Sequence, residues 1–324
     1  MAKIDKLDLR ILEKLDENIR YSSKKIAREL KSSRQVIDYR IKRMEKSKII
    51  ANYRMLGNFS KLGFIYYRLH IKFRCSSKID KKKATDYFVE KTYTNWVAEC
   101  DGKYDLMIGI FTKNVQNFQN VLFSFVSKFF DKIDYYHFVR LLEILVPMRD
   151  LNNKLKNRKL RGAVVDQSSP VKLSSVDKKI INVLAKNGKT NIVDISKEID
   201  ESIEKVKYHL KKILQNKIMF SNIQYGYNLM GFELYKTLFY LHNPEREKIE
   251  KLKKFGRNYP HIWNSQEAQG NWQVEMDIEA KSHEQYLQIL DTIMTSFSEI
   301  VKNYDTLFIR KEHKFLFAPF LKKD

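Results

Sequence analysis

Hydrophobic residues recur every three or four positions in three short stretches near the start of the chain, which begin at Leu7, Ile26 and Val36. This spacing places them on one face of a helix, so the sequence predicts three amphipathic helices in succession. Only Lys31 and Ser32 separate the second stretch from the third. Two short helices joined by a tight polar turn predict a helix-turn-helix, whose last helix enters a DNA groove.

The outer face of the third predicted helix carries basic and amide side chains that can contact base edges and phosphates in a major groove. Residues 1–54 hold 16 Lys and Arg against 8 Asp and Glu, a net charge of +8. Such a charge on a small helical module is typical of DNA-binding domains. We predict that Arg34 and Gln35 read bases. The other predicted contacts of this helix are Ser33, Tyr39, Arg40, Lys42 and Arg43.

Two alternatives stay open for this helix. It can be an ordinary amphipathic surface helix with solvated charges, because a motif match alone is a hypothesis. Arg40 can also pair with a carboxylate of its own module, such as Glu45, instead of contacting DNA.

From Phe64 the hydrophobic pattern shortens to a period of two, as in FIYYRLHIKFR, which is typical of a half-buried strand. Strand and helix patterns then follow one another up to residue 146 in the order β-α-β-β-α-β. This order predicts a ferredoxin-like domain. Asp101 and Gly102 mark the turn between its two central strands, and such a turn needs no ligand to explain it.

The second half of the chain repeats the first. Residues 151–170 are polar and basic, a composition that predicts a linker. Beyond them the sequence aligns with the first half at a constant offset of 169 residues, from Asp8 and Asp177 to Ile49 and Ile218. We therefore predict an internal tandem duplication. The predicted domains are two helix-turn-helix units, 1–58 and 171–227, and two ferredoxin-like units, 59–150 and 228–324.

The two predicted DNA-facing helices differ where contacts would be made. Arg34 and Gln35 of the first copy correspond to Ile203 and Glu204 of the second. A carboxylate near the start of a helix repels phosphate, although it can accept from cytosine. The basic residues that remain as predicted DNA contacts in the second copy are Lys207, Lys211 and Lys212. We expect this copy to bind phosphates weakly or to be purely structural.

The composition and charge of the chain limit the kinds of molecule that it can be expected to bind. The chain of 324 residues has a formal net charge of +22, which favours a polyanion such as nucleic acid or an anionic membrane surface. No run of about 18 apolar residues and no signal peptide are present, so we expect a cytoplasmic protein that does not enter a membrane. Two cysteines, Cys75 and Cys100, are too few for a zinc site. Both lie in apolar, strand-like sequence, which predicts buried thiols. No cofactor and no metal are expected.

The first half resembles the Lrp/AsnC (leucine-responsive, or feast/famine) transcription regulators. The resemblance rests on LDLRILEKLDENIRYSSKKIAREL and on SSRQVIDYRIKRMEKSKII, which includes Arg40, Arg43 and Glu45. It departs from the family at Ser47 and Lys48, where the family usually has the glycine that closes the third helix.

The resemblance implies an α+β fold class: two tandem copies of a helix-turn-helix (winged-helix-like) domain, each followed by a ferredoxin-like βαββαβ sandwich domain. It also implies that small molecules, commonly amino acids, bind the ferredoxin-like domains. The residues matching the family's effector-binding turn are Asp101, Gly102, Tyr104 and Asp105.

The function predicted from the sequence is sequence-specific binding of double-stranded DNA by a transcription regulator, modulated by a small-molecule effector such as an amino acid. The fused halves would form an intramolecular pseudo-dimer, with further homo-oligomers expected. We predict from this that the chain is not an enzyme. The alternative is a siroheme decarboxylase, since those enzymes are built from two Lrp-like polypeptides with vestigial helix-turn-helix domains. His137, His261 and His313 are available for such chemistry but are not clustered in the sequence.

Overall fold

A computed structural model describes residues 4–74, 77–152, 158–165, 169–317 and 320. The chain begins with a three-helix head followed by a strand. These elements are α1 (Lys6–Glu17), α2 (Ser23–Leu30), α3 (Arg34–Lys46) and β1 (Ile50–Gly57). The side chains of Asp5, Ser22 and Ser33 accept hydrogen bonds from backbone N–H groups of the first turns, so all three helices start where a capping residue stands.

The head leads into the first half of a sheet. Its elements are β2 (Ile65–Phe73), α4 (Lys78–Val89), β3 (Thr94–Gly102), β4 (Leu106–Thr112), α5 (Val115–Phe129) and β5 (Ile133–Pro147). Strand β2 lies between β4 and β5, and β4 lies between β2 and β3. This is the predicted β-α-β-β-α-β order with the strand neighbours of a ferredoxin-like unit. Cys100 on β3 is buried, while Cys75 lies outside the described residues.

Part of the stretch predicted as a linker is a strand. Strand β6 (Leu160–Val165) pairs with β5 in antiparallel fashion. Residues 153–157 and 166–168 of that stretch lie outside the described residues. A second head follows, with α6 (Ser175–Lys186), α7 (Ile192–Ile199), α8 (Ile203–Gln215) and β7 (Met219–Tyr225). Strands β1 and β7 form an antiparallel ribbon that joins the two heads.

The second half of the sheet repeats the element order of the first. Its elements are β8 (Glu233–Leu241), α9 (Arg246–Asn258), β9 (Ile262–Gly270), β10 (Val274–Ala280), α10 (His283–Ser296) and β11 (Val301–Phe315). Strand β8 lies between β10 and β11, and β10 lies between β8 and β9. The four strands therefore have the same neighbours as their counterparts in the first half.

The two halves form one closed barrel instead of the two separate sandwich domains that were predicted. Strand β3 pairs with β11, and β9 pairs with β5, so among the described residues eight strands close in the order β2-β4-β3-β11-β8-β10-β9-β5. Each half alone would leave two strand edges with unpaired backbone groups, and joining the halves pairs those edges. The sequence repeat shows each half but does not show that their edges meet.

Hydrophobic packing follows this arrangement. Helices α4 and α5 bury Phe88 and Phe125 against the outside of the first half, and α9 and α10 bury Leu252 and Ile289 against the second. The core of both heads is continuous with the inward-facing residues of the barrel. The heads are thus packed on the barrel and share its interior.

Candidate functional site

The first candidate site is the exposed face of α3. The Arg34 side chain is 72% exposed, and its Nε lies 3.4 Å from the Asp38 carboxylate. Gln35 and Lys42 are exposed, and Tyr39 is 66% exposed. Four of the predicted DNA contacts therefore share one free surface. Ser33 is at the start of this surface, where its hydroxyl caps the helix by accepting from the N–H of Val36 at 3.2 Å.

Arg40 and Arg43 have partners inside the head. The Arg40 guanidinium lies 2.6 Å from Asp5 and 3.0 Å from Asp8, and Arg43 also contacts Asp8, which is fully buried. The hydrogen bond from Arg40 lowers the pKa of Asp5 to about 2. These arginines fasten α3 to α1, so their predicted contact with DNA competes with a structural pairing. Glu45, the partner considered for Arg40, accepts instead from the Tyr53 hydroxyl at 2.7 Å.

The second head has the same frame with other side chains. His209 Nδ1 lies 2.7 Å from buried Asp177, and Lys212 lies 3.7 Å from it. Lys207 and Lys211 are exposed. Tyr208 is 68% exposed, at the position that corresponds to Tyr39. Of the three lysines predicted to contact DNA in this head, Lys212 is the one with a structural partner.

The predicted effector turn does not gather its side chains at one point. Asp101 and Gly102 are exposed at the end of β3, whereas Tyr104 is fully buried with its hydroxyl 3.0 Å from His137 Nδ1. Asp105 accepts from the Phe73 N–H at 2.9 Å and so joins β4 to β2. Gly102 has a φ of +124°, and a Cβ there would lie 2.5 Å from a carbonyl oxygen, so the turn requires glycine for its backbone.

The barrel interior holds charged groups that the sequence analysis missed. Lys236, fully buried on β8, lies 3.2 Å from Glu275 and 2.5 Å from Asp277. Arg68 donates to Gln266 at 2.9 Å, and its Nη1 lies 3.9 Å from Glu275. Burial raises the pKa of Glu275, but Lys236 and Arg68 outweigh burial and hold it at about 2. In the sequence, these buried charges could have been found as single charged residues within hydrophobic runs: Arg68 in YYRLHI and Lys236 in LYKTLF.

His70 shares this interior. Its ring packs against Trp272 and Tyr104, at centroid distances of 4.7 and 5.0 Å. Burial lowers its pKa to about 3, so the imidazole is neutral near pH 7. Among the described residues neither ring nitrogen has a hydrogen-bond partner.

A cleft with a volume of about 270 Å³ lies between the first head and the second half of the barrel. Leu9, Met230 and Phe232 give it apolar walls, and His261, Lys281 and Gln285 line its polar side. His261 Nε2 is 3.3 Å from the Gln285 side-chain nitrogen, and burial lowers the pKa of His261. We name this site the His261 cleft.

Glu279 forms part of the floor of the His261 cleft. One of its oxygens lies 2.5 Å from Arg149, whereas Oε1 is buried and has no hydrogen-bond partner among the described residues. The cleft thus combines His261, Lys281 and the Gln285 amide with two acidic residues, Asp150 and Glu279, beside its apolar wall.

An acidic cluster elsewhere already contains a cation. Carboxylate oxygens of Glu143, Glu250 and Glu267 lie within 4.8 Å of one another. The buried ammonium group of Lys253 contacts all three and lies 2.8 Å from Glu250 and 2.7 Å from Glu267. This lysine occupies the place that a metal ion would take.

None of the helices in the described part of the chain has the length and the apolar composition that a membrane span requires.

The two three-helix heads, which the β1–β7 ribbon joins, pack on one barrel made of two half-sheets. Residues 4–45 match the model of the AsnC-type helix-turn-helix domain. An uncharacterized HTH-type transcriptional regulator of Pyrococcus abyssi is 26% identical over 129 residues, which cover 40% of this chain and 86% of that protein. The HTH-type transcriptional regulator FL11 of Pyrococcus furiosus is 27% identical over 148 residues, which cover 44% of this chain and 92% of that protein. These similarities support the Lrp/AsnC relationship of the first half.

A solved structure is similar over nearly the whole chain. The siroheme decarboxylase NirDL aligns with a TM-score of 0.64 and 11% identity, and the alignment covers 95% of this chain and 92% of that one. The shared feature is therefore the complete fold, with both heads and both halves of the barrel.

The prediction that this chain is not an enzyme is wrong in the light of that likeness, because an enzyme is built on the complete architecture. The prediction rested on the expected role of the chain as a DNA-binding regulator. A helix-turn-helix at the surface does not decide what a barrel or a cleft behind it does, since one fold carries different functions at different sites.

Proposed function

We propose that this chain is a decarboxylase that acts on the carboxylate side chains of siroheme or a closely related iron tetrapyrrole. The observation that carries the proposal is the His261 cleft, in a chain whose whole architecture is similar to that of siroheme decarboxylase NirDL. The cleft offers Lys281 for a substrate carboxylate, His261 for proton transfer and an apolar wall for one edge of a flat macrocycle. The proposal takes up the alternative that the sequence left open.

Lys281 and His261 take different roles in this proposal. Lys281 binds and orients a substrate carboxylate by charge. Loss of carbon dioxide breaks a carbon–carbon bond and leaves its electron pair on the substrate carbon, which must then receive a proton. Burial lowers the pKa of His261 and so favours the neutral imidazole, whereas an arriving carboxylate favours its protonated form. The imidazolium then delivers the proton to that carbon.

The test is anaerobic incubation of the purified protein with siroheme, followed by mass spectrometry of the tetrapyrrole. We expect products that have lost one or more carbon dioxide units. His261→Ala should lower the rate by at least about 100-fold, the usual contribution of a general acid. His137→Ala is the matched control, because His137 contacts Tyr104 outside the cleft. An unchanged tetrapyrrole with the wild-type protein contradicts the proposal.

A second function is favoured by the free face of α3. We propose that the first head binds duplex DNA, with Arg34 and Gln35 reading bases and Lys42 contacting phosphate. The support is that these side chains are exposed within an AsnC-type helix-turn-helix domain. The β1–β7 ribbon holds the second head beside the first, as in an intramolecular pseudo-dimer.

Duplex binding is tested by selection from a random library, followed by titration at several salt concentrations. We expect affinity to fall steeply as salt rises, since phosphate contacts release counterions. Joint substitution Arg34→Ala and Gln35→Ala should weaken binding to the selected duplex by about 1–3 kcal/mol per lost base contact and leave random duplex nearly unchanged. Equal losses on both duplexes contradict the base-reading roles.

The proposed tandem duplication gains support from matching backbone positions. Lys31 and Asp200 have φ of 54° and 53°, and Lys48 and Lys217 have φ of 60° and 50°. Both pairs are separated by the same 169 residues as Asp8 and Asp177. Left-handed non-glycine residues are uncommon, so two such coincidences favour descent from one repeated unit.

A further inference from the structure

A cavity of about 80 Å³ lies where the barrel meets the ribbon of the heads. The ribbon contributes Leu56, Gly57 and Phe220, and the barrel contributes Trp96 and Trp263. The two tryptophans lie near the starts of β3 and β9. The cavity is thus shared by both halves and touches both heads, and its lining has no residue in common with the His261 cleft. We name it the ribbon cavity.

Three buried side-chain atoms that line the ribbon cavity have no hydrogen-bond partner among the described residues: Arg68 Nε, Asn264 Oδ1 and Asn95 Oδ1. Arg68, from the first half, is 5% exposed, and its Nε has no hydrogen-bond partner among the described residues. Asn264, from the second half, is 7% exposed, and its Oδ1 is likewise without a partner there. A buried group of this kind is costly unless something else satisfies it. The lining therefore offers one free donor and two free acceptors.

The charges around the ribbon cavity are already balanced. Arg68 and Lys236 carry two positive charges, which Glu275 and Asp277 offset with two negative ones. Glu312 also lines the cavity, and burial raises its pKa, which favours its neutral form. A carboxylate or ammonium ligand would add an uncompensated buried charge. An uncharged ligand adds none.

The rest of the lining is largely aromatic. The rings in it belong to Phe59, Tyr66, Trp96, Phe220, Tyr235, Trp263, Phe315 and Phe317. One water-sized group needs at least about 10–15 Å³, so the cavity has room for several such groups. A matching molecule is therefore small and mostly apolar, and it carries one acceptor and at least one donor.

We propose that the ribbon cavity is a binding site for a small uncharged carboxamide with a branched aliphatic or similar apolar body. Its carbonyl oxygen accepts from Arg68 Nε, its N–H donates to Asn264 Oδ1, and its apolar part packs on the aromatic rings. The site is separate from both proposed functions. Because Gly57 and Phe220 belong to the strands that join the heads, the ligand also stabilises one position of the heads on the barrel.

The experiment uses isobutyramide as the probe and isobutyrate as its charged counterpart of equal shape. Two of the three tryptophans line the cavity, so intrinsic fluorescence of the full chain reports binding. We expect saturable binding of isobutyramide and at least tenfold weaker binding of isobutyrate. Asn264→Leu should weaken isobutyramide binding about tenfold, since it removes one buried hydrogen bond. Leu234→Phe, which fills the cavity, should abolish it.

Controls separate this site from the rest of the molecule. His261→Ala should bind isobutyramide like the wild type, because His261 lies in the other cleft. Thermal unfolding of each variant shows whether it is folded. Equal affinity for the amide and the carboxylate, unchanged binding in folded Asn264→Leu and Leu234→Phe, or no saturable response at all would overturn the proposal. The last result would mean that water alone fills the cavity.

Discussion

The two heads have one frame and two surfaces. In each, a buried aspartate of the first helix holds the third helix: Asp8 pairs with Arg40 and Arg43, and Asp177 pairs with His209 and Lys212. In each, a serine caps the third helix, Ser33 or Ser202. The buried aspartate and the capping serine are therefore the same in both heads, whereas the partners of the aspartate differ.

The outer faces differ more. Arg34 and Gln35 are exposed in the first head, and Ile203 and Glu204 are exposed in the second. An exposed isoleucine contributes no hydrogen bond to DNA, and a glutamate repels phosphate. The same head frame therefore packs on the barrel with two different outer faces. The presence of a helix-turn-helix fold therefore does not by itself establish that a head binds DNA.

The largest expected effect comes from removing the buried aspartates. Asp8→Ala should lower the free energy of unfolding by about 2–4 kcal/mol, because two guanidinium groups lose their buried partner. Asp177→Ala should cost less, about 1–2 kcal/mol, since Lys212 lies 3.7 Å away and already contributes little. Urea unfolding followed by circular dichroism measures both losses.

A second signal shows where unfolding takes place. Trp96, Trp263 and Trp272 all belong to the barrel half-sheets or the turn beside them, so fluorescence follows the barrel. The heads are helical and contribute to circular dichroism. If Asp177→Ala destabilises the protein as much as Asp8→Ala, the two buried aspartates contribute equally to stability, against the expected difference between the heads.

A smaller effect is expected at the ends of the third helices. Lys48 and Lys217 have φ of 60° and 50°, in the left-handed region that glycine adopts at no steric cost. Lys48→Gly and Lys217→Gly should each stabilise the protein, by about 1 kcal/mol before the entropy of glycine is counted. Lys42→Gly, in the middle of α3, is the control and should destabilise by a similar amount. Destabilisation by both terminal substitutions would show that the lysine side chains matter there.

The sequence was sufficient for the local parts of this fold. Periodicity and serine caps located the head helices, because both are properties of neighbouring residues. The left-handed end of α3 was foreseen as a problem without glycine, and the structure keeps that conformation with Lys48. What the sequence could not supply was the pairing of β3 with β11 and of β5 with β9, since a repeat carries no record of which edges meet.

The sites followed the same division. Exposure of Arg34 and Gln35 follows from helical spacing. The pairing of Arg40 with Asp5 and Asp8 depends on how α3 packs on α1 and was missed. His261 is the residue before β9 and Lys281 is the residue after β10, and only the folded sheet brings them to one cleft.

The smallest expected effect separates the heads by their response to acid. The pKa of Asp5 is held at about 2 by Arg40, and that of Asp177 is raised by burial but lowered overall by hydrogen bonds from Ser174 and His209. Lowered carboxyl pKa values contribute stability that is complete above the unfolded value near 3.9 and is lost as pH falls through the folded value. Stability measured in urea should therefore be flat from pH 7 to about 5 with respect to these groups and fall below about 4. Asp177→Asn and Asp5→Asn should each flatten that fall.

Salt should weaken the contribution of Asp5, which is half exposed, more than that of buried Asp177. Equal salt dependence would place both carboxylates in the same electrostatic surroundings, against the contrast between the heads.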